Sequence, residues 1–328
     1  MVKIGFLSVA HVHAGGYLHI LKTHPDVNLV GIWDDDTQRG QQASQKYETD
    51  FFSDKEILIE KCDALIITSE NMKHADLIES VSKSGKAMLC EKPLAVNTQH
   101  LEQIKNVLSI SSSVFMQAFP CRYSPAYQRM KQRISEGDIG AINAICATNR
   151  GMCPFGWFVD LKLSGGGAMA DHVVHVADLM RDLMQSEAKT VYAQIGNNIY
   201  GQYWEDTAML HVRFQNDVFT TIDSSWSNPK SYKTWGDVRM NVVGEKGTIE
   251  VDLFNQAFDV YQIEPSQHWQ AGYGSNIDKA LIEDFLLSVK KEMPPPITLE
   301  DGIRASEIVV SAYESARTNE PVHLAATK

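Results

Sequence analysis

The sequence predicts an α/β protein: an N-terminal Rossmann unit with a doubly wound parallel sheet, then an α+β unit carrying a large, mostly antiparallel open sheet. Three observations lead there. From Val2 to about Phe119, short apolar runs alternate with longer amphipathic segments, the order that βαβ units require. After Pro120, long strand-like segments succeed one another with turn residues such as "QND" and "GEKG" between them. Finally, 328 residues with 44% hydrophobic content are more than one core usually serves. The expected units are residues 1–120 and 121–328.

In chain order, the first strands are "KIGFLS", "NLVGIWD", "ALIITS", "AMLCE" and "VFMQAF", short apolar runs that read as a parallel sheet. Between them, "HAGGYLHILKTH", "RGQQASQKY", "HADLIESVSKSG" and "NTQHLEQIKNVLSIS" have helical spacing. A helix "SPAYQRMKQRISEG" then leads to the strand "GAINAICATNRG" and to a Gly-rich stretch that opens a strong helix from about Gly166 to Met184. The strands "TVYAQIGNNIY", "DTAMLHVRFQ", "VFTTIDSSWS", "VRMNVVGEKGTIEVD" and "AFDVYQIEP" follow, and the chain ends in helices around "ALIEDFLLSVKKE" and "LEDGIRASEIVVSAYESART", parted by "MPPPIT".

Composition narrows the function. A net charge of −11 without a basic stripe argues against nucleic acid and favours small molecules. The five cysteines are odd in number and form no C-x-x-C pair, which suits reduced thiols and a cytoplasmic setting. "MVKIGFLSVA" reads as a first strand rather than a leader, and no apolar run has the length of a membrane span.

Four stretches carry candidate chemistry. In "GFLSVAHVHAGGY", a strand gives way to a helix where a dinucleotide loop should read Gly-x-Gly-x-x-Gly, but Ser8, Ala10 and His13 hold those places, with His11 and Val12 between them. Small side chains at Ser8 and Ala10 still let the backbone approach a pyrophosphate at the helix N-terminus. His13 stands where close helix-strand packing is wanted, so its ring must turn aside, and His11 or His13 is expected to face the cofactor or the substrate cleft. Asp34 ends the second strand about 20 residues on, where a carboxylate accepts from ribose hydroxyls and repels a 2′-phosphate. NAD is therefore favoured; Arg39 leaves NADP open, and a turn-initiating Asp34 is the plain alternative. In "GKAMLCEKPLA", Glu91 and Lys92 lie at the carboxyl edge of the sheet, where Lys92 can stabilise a developing oxyanion, unless they are a surface pair before a turn. In "GGGAMADHVVHVADLMRDLM", Asp171, His175, Asp178 and Asp182 share one helix face and Val173, Val176, Met180 and Leu183 the other. Amphipathicity alone reads the polar face as solvated. An imidazole one turn from a carboxylate after three glycines reads instead as a base and its partner.

Taken together and in this order, the Rossmann unit, "TSENMKHADLI", "GKAMLCEKPLA", "FPCRYSPAYQRMKQRISEGDIGAI", "GGGAMADHVVHVADLM" and "VVGEKGTIEV" resemble the glucose-fructose oxidoreductase, inositol dehydrogenase and rhizopine-catabolism (Gfo/Idh/MocA) family along nearly the whole chain. The resemblance implies an NAD(P)-dependent dehydrogenase that oxidises a C–OH of a sugar or polyol. It implies Lys92, Asp171 and His175 as catalytic residues, with His175 taking the proton. Thr68, Ser69, Asn71, His74 and Glu91 match the cofactor surroundings. Two departures stand out: the degraded glycine fingerprint, and His172, polar where relatives carry a small or apolar residue and so a candidate substrate contact. Tyr123, Arg150, Trp157 and Trp235 are further candidate substrate neighbours. An exposed sheet face suggests a homodimer or homotetramer.

Other readings use the same residues. A tightly held NAD could recycle its hydride in a glycosidase or epimerase reaction, or the fold could serve as a non-catalytic NAD-binding sensor. A metal enzyme using His11, His13, Asp171, His172 and His175 matches no zinc spacing, and no metal is expected.

Overall fold

The computed structural model describes residues 1–272 and 274–325. Strands β1 (Val2–Leu7), β2 (Val27–Trp33), β3 (Asp50–Phe52), β4 (Ala64–Ile67), β5 (Ala87–Cys90) and β6 (Phe115–Gln117) form one parallel sheet in the order 3-2-1-4-5-6. Helices α1 (Ala14–Lys22), α2 (Thr37–Tyr47), α3 (Lys55–Lys61), α4 (His74–Ser84) and α5 (Thr98–Ser109) make its crossovers. β4 and β5 are buried at every position, as their unbroken apolar sequences require. The strand order reverses between β1 and β4, and ligands bind outside the carboxyl ends of strands at such a point.

After α6 (Pro125–Ser135) come β7 (Ile142–Arg150), the short α7 (Leu161–Ser164), α8 (Ala168–Met184), β8 (Ala188–Gly196), β9 (Thr207–Phe214), β10 (Phe219–Ser225), β11 (Arg239–Gly244) and β12 (Thr248–Asp252). The hairpin β13 (Ala257–Gln262) and β14 (Gln267–Gly272), helices α9 (Ile277–Val289) and α10 (Leu299–Thr318), and β15 (Val322–His323) complete the fold. The second sheet runs 12-11-7-10-9-8-15 and is antiparallel except for the β7–β10 pair. α8 and α10 cover one face. The other exposes Met209 and Phe219, as the alternating burial of β9 and β10 dictates. Among the described residues, no helix is long and apolar enough to cross a membrane.

The sequence pattern does not predict β3, α3, α7, β14 and β15, which are short or lie at edges where little apolar pattern is needed. The polar face of α8, which amphipathicity alone would leave in water, is buried from Ala168 to Arg181. The Arg122 guanidinium is the reason, since it donates to both oxygens of Asp178 at 2.8 and 2.6 Å and to Asp301 at 2.8 Å. Burial pushes the Asp178 carboxyl up to about 6 even beside that arginine.

Candidate active site

A cavity of about 620 Å³ lies where the loop after β1, the end of β5 and the first turns of α8 face one another, closed by residues before and within α9. Lys92 reaches it from a backbone held on both sides. Gln117 Nε2 donates to the carbonyls of Cys90 and Glu91 at 3.0 and 3.1 Å, and His74 Nδ1 donates to the Pro93 carbonyl at 2.9 Å. The Lys92–Pro93 peptide is cis.

α8 is set by a carboxylate that the sequence did not reveal. Glu205 Oε1 accepts from the Gly167 and Met169 amides at 2.6 and 3.3 Å, satisfying donors that a helix start leaves free. Tyr313 donates to the same oxygen at 2.6 Å. The glycines make this possible: a Cβ on Gly167 would stand 2.1 Å from the Glu205 carbonyl oxygen, and one on Gly166 would stand 1.9 Å from the Tyr313 hydroxyl.

Lys92, Asp171 and His175, which the sequence put forward together, all line the cavity. The Lys92 ammonium donates to Asp171 Oδ1 at 2.8 Å and to its carbonyl at 3.1 Å, leaving one of its three hydrogens for a ligand. Against the cost of burial, the charges of Lys92 and His172 hold the Asp171 carboxyl well below its ordinary range. His175 is the reverse case. Burial, then the Lys92 charge, lowers its basicity well below that of free histidine, so its imidazole is neutral at neutral pH. Its Nδ1 lies 3.8 Å from Cys121 Sγ, another contact the sequence reading missed. Burial pushes that thiol up to about 12, so Cys121 stays protonated.

The loop after β1 keeps the geometry of a cofactor loop without its glycines. Ser8 takes φ 69°, the left-handed region glycine normally supplies, and its hydroxyl accepts from the Ala10 amide at 3.2 Å. Thr68 donates to the Ser8 carbonyl at 2.6 Å. His13 immediately precedes α1, and its ring turns to Glu91, with Nδ1 3.1 Å from Oε1. Glu91 also accepts from the Tyr17 hydroxyl at 2.6 Å and the Lys92 amide at 3.1 Å. Burial opposes its charge, yet the two histidine rings and Lys92 hold its carboxyl far below the ordinary range. Burial acts against protonation of His13 as well, and Glu91 overrides it, raising that ring above the usual histidine value. His11 is buried and pushed down to about 3, first by burial. Its Nδ1 accepts the His13 amide at 3.2 Å, which leaves the ring hydrogen on Nε2. His11, His13 and Glu91 could draw around a cation, but these hydrogen bonds already engage their facing atoms.

Asp34 stands at the end of β2 as expected, but its carboxylate is heavily engaged. It accepts from Ser8 Oγ, the Val9 and Asp36 amides, and Arg39 Nε and a terminal nitrogen, at 2.7 to 3.1 Å. Arg39 also pairs with Asp35 and Glu70, and Lys73 pairs with the same two acids. Three carboxylates thus surround two cations. Buried polar atoms with no partner among the described residues, His11 Nε2 after β1 and Asn71 Oδ1 after β4, mark places where a bound dinucleotide can supply hydrogen bonds; the residues present fit such a group.

The other candidates divide between the cavity and its surroundings. Ser69 donates to the Glu70 carbonyl at 3.1 Å, and Asn71 Nδ2 crosses to the Ser164 carbonyl at 2.9 Å. Val12 and Trp235 line the cavity. Trp157 stacks on cavity-lining Phe158 and donates to the Ala10 carbonyl at 3.0 Å, spanning the cleft. Tyr123 is turned away from the cavity, because its hydroxyl donates to Asp284 on α9 at 2.8 Å. Arg150 is likewise drawn off, paired with Asp237 at 3.0 Å. His172 lines the cavity with both ring nitrogens engaged inside the protein. No local pattern announces Trp226, which donates to Asp171 Oδ2 at 3.2 Å, or cavity-lining Asp278, whose carboxyl burial raises.

Comparison with known proteins bears on this arrangement. Residues 4–119 match the oxidoreductase family with an NAD-binding Rossmann fold, and residues 127–250 match the GFO/IDH/MocA C-terminal domain. The chain is 26% identical to a myo-inositol 2-dehydrogenase of Thermotoga maritima, covering 98% of each. It is 24% identical to the scyllo-inositol 2-dehydrogenase (NAD(+)) of Bacillus subtilis, covering 94% of this chain and 93% of that one. Its fold superposes with a TM-score of 0.89 on GenD2 from gentamicin A biosynthesis in complex with NAD, at 19% identity and covering 99% and 97% of the two chains.

Proposed function

Because the chain belongs to the Gfo/Idh/MocA family of NAD-binding oxidoreductases, we propose that it oxidises a secondary alcohol of an inositol, related polyol or sugar. The carrying observation is the joint presence, in one cavity, of a Lys92 ammonium with a free hydrogen and a His175 imidazole kept neutral. Lys92 donates to the substrate hydroxyl oxygen and stabilises the negative charge that grows there. His175, with its Nδ1 side against Cys121, receives the hydroxyl proton at Nε2. Asp171 holds Lys92 in place and balances its charge. NAD, when bound, supplies the hydride acceptor. Residues 1–120 hold the cofactor and bring Lys92 to the cavity, and residues 121–328 supply the rest of the substrate pocket.

The excess of carboxylates over cations around Arg39 supports NAD over NADP, since a 2′-phosphate would meet net negative charge. Relatives named as inositol dehydrogenases support the substrate class. The test is to incubate the protein with NAD and a panel of inositols, hexitols and aldoses and follow NADH. Turnover that Lys92→Ala and His175→Ala abolish while retaining NAD binding supports the assignment; unchanged turnover in either variant overturns that residue's role.

One observation favours a second reading. Trp157 and Asn71 each bond across the cleft, a strap that would retain the cofactor and suit a redox-neutral reaction with internally recycled hydride. NAD that copurifies with the protein, together with glycoside cleavage or epimerisation without net NADH, would favour it over dehydrogenation.

A further inference from the structure

His172 neighbours Asp171 in sequence, is buried, and lines the active-site cavity, where a substrate contact would be the simple expectation. Its hydrogen bonds say otherwise. Nδ1 lies 3.0 Å from the carbonyl oxygen of Asn149, which can only accept, so Nδ1 carries a hydrogen. Nε2 lies 3.1 Å from Asp171 Oδ2. With both nitrogens engaged, the ring has none left for a ligand.

The surroundings are shaped to this bridge. Gly151 lies against the ring, and a Cβ there would stand 2.6 Å from His172 Cε1. Gly151 cannot easily give way, because its amide donates to the Ser225 carbonyl at 2.8 Å and it bridges to Gly236. Asn149 is on β7, an interior strand of the second sheet, so the ring is braced against a rigid element. Trp235 meets the ring edge-on at 5.8 Å.

We propose that His172 is a positioning residue that, with Trp226, locks the Asp171 carboxylate so that Oδ1 faces Lys92. Oδ2 has two neighbours, His172 Nε2 and Trp226 Nε1, which leaves Oδ1 to take the ammonium at 2.8 Å. A carboxylate free to rotate about its Cβ–Cγ bond would let Lys92 wander. Pinned from behind, it aims the remaining ammonium hydrogen at one place. This rests on the proposed dehydrogenase reading, in which Lys92 contacts the substrate oxygen.

Two variants separate positioning from substrate contact. His172→Phe keeps a ring but removes both hydrogen bonds, and His172→Gln retains an amide donor. Each is assayed with NAD and whichever polyol of the panel gives the fastest parent turnover. His172→Phe is expected to lower kcat by about 10-fold to 100-fold, the size typical of outer partners that orient a functional group, with KM for the polyol and NAD affinity unchanged. His172→Gln should recover most of the loss. Gly151→Ala, which presses on the ring without altering it, should lower kcat in the same way and guards against misfolding of the Phe variant. A raised KM with kcat retained would make His172 a substrate contact, and unchanged kinetics would make the bridge irrelevant; either overturns the proposal.

A second arm needs no turnover. Nitrogen NMR of histidine-labelled parent protein, without polyol, should show a His172 Nδ1–H hydrogen that exchanges slowly with solvent, with the resonance assigned by its loss in His172→Gln. Rapid exchange overturns the bridge. If no polyol is oxidised the dehydrogenase reading fails, while this arm still judges the His172 geometry.

Discussion

Replacing Lys92 by methionine separates the charge of this side chain from its bulk. Lys92 is 4% exposed, and its ammonium donates to Asp171 twice, at 2.8 and 3.1 Å. Removing one partner of a buried pair typically costs about 3–5 kcal/mol, because the remaining charge is stranded. Here Asp171 keeps Trp226 and His172 beside Oδ2, so the lower end, about 3 kcal/mol, is expected. The pH dependence has a definite sign. In the parent, the Asp171 carboxyl is depressed in the folded state, so its stabilisation is present above the unfolded aspartate value of about 3.9 and is lost as pH falls through the folded value. Without Lys92 that depression shrinks, so parent and variant differ most at neutral pH and converge on acidification. Urea titrations at several pH values measure this. In the NADH assay, loss of the donor to the developing oxyanion should lower kcat by about 10² to 10³ while NAD binds as before. A loss smaller than about tenfold, equivalent to about 1.4 kcal/mol, would refute the role given to Lys92.

Three further outcomes are expected. His175→Ala should lower kcat/KM by about 10² to 10⁴, and since burial and Lys92 keep the parent imidazole unprotonated, the acid limb of the parent's pH profile should lie below the ordinary histidine value of 6.5; a limb at or above it refutes the assignment. Asp34→Ala releases Arg39 from its closest partner, so the ratio of kcat/KM for NADP to that for NAD should rise; an unmoved ratio means that this pair does not govern cofactor choice. Arg122→Met strands the buried Asp178 beside Asp301 and should cost about 3–5 kcal/mol in urea unfolding, with an unmoved midpoint counting against the ion-pair reading of the α8 polar face.

The fold and the meeting of Lys92, Asp171 and His175 in one cavity were legible because their information is local. Asp171 and His175 lie one helical turn apart, Lys92 follows a four-residue buried strand, and the alternation before Phe119 is a pattern of neighbours. What escaped was pairing at a distance. Glu205 meets Gly167 across 38 residues, Trp226 meets Asp171 across 55, and Cys121 meets His175 across 54. The polar face of α8 shows why. Aspartates spaced by one turn look the same whether water or arginine awaits them, and the arginine that answers Asp178 lies 56 residues away. The loop after β1 follows the same rule. Read locally, Ser8 and His13 are a failed glycine fingerprint. In the fold, the Ser8 hydroxyl supports the left-handed turn by bonding to Asp34 and Ala10, and the His13 ring has a carboxylate 78 residues on. A glycine at residue 13 would offer Glu91 no such donor, leaving that buried carboxylate with only Tyr17 and the Lys92 amide among these three hydrogen bonds. The departure from the fingerprint at His13 and the acid before Lys92 therefore belong to one device, and a change at either position has to be read with the other.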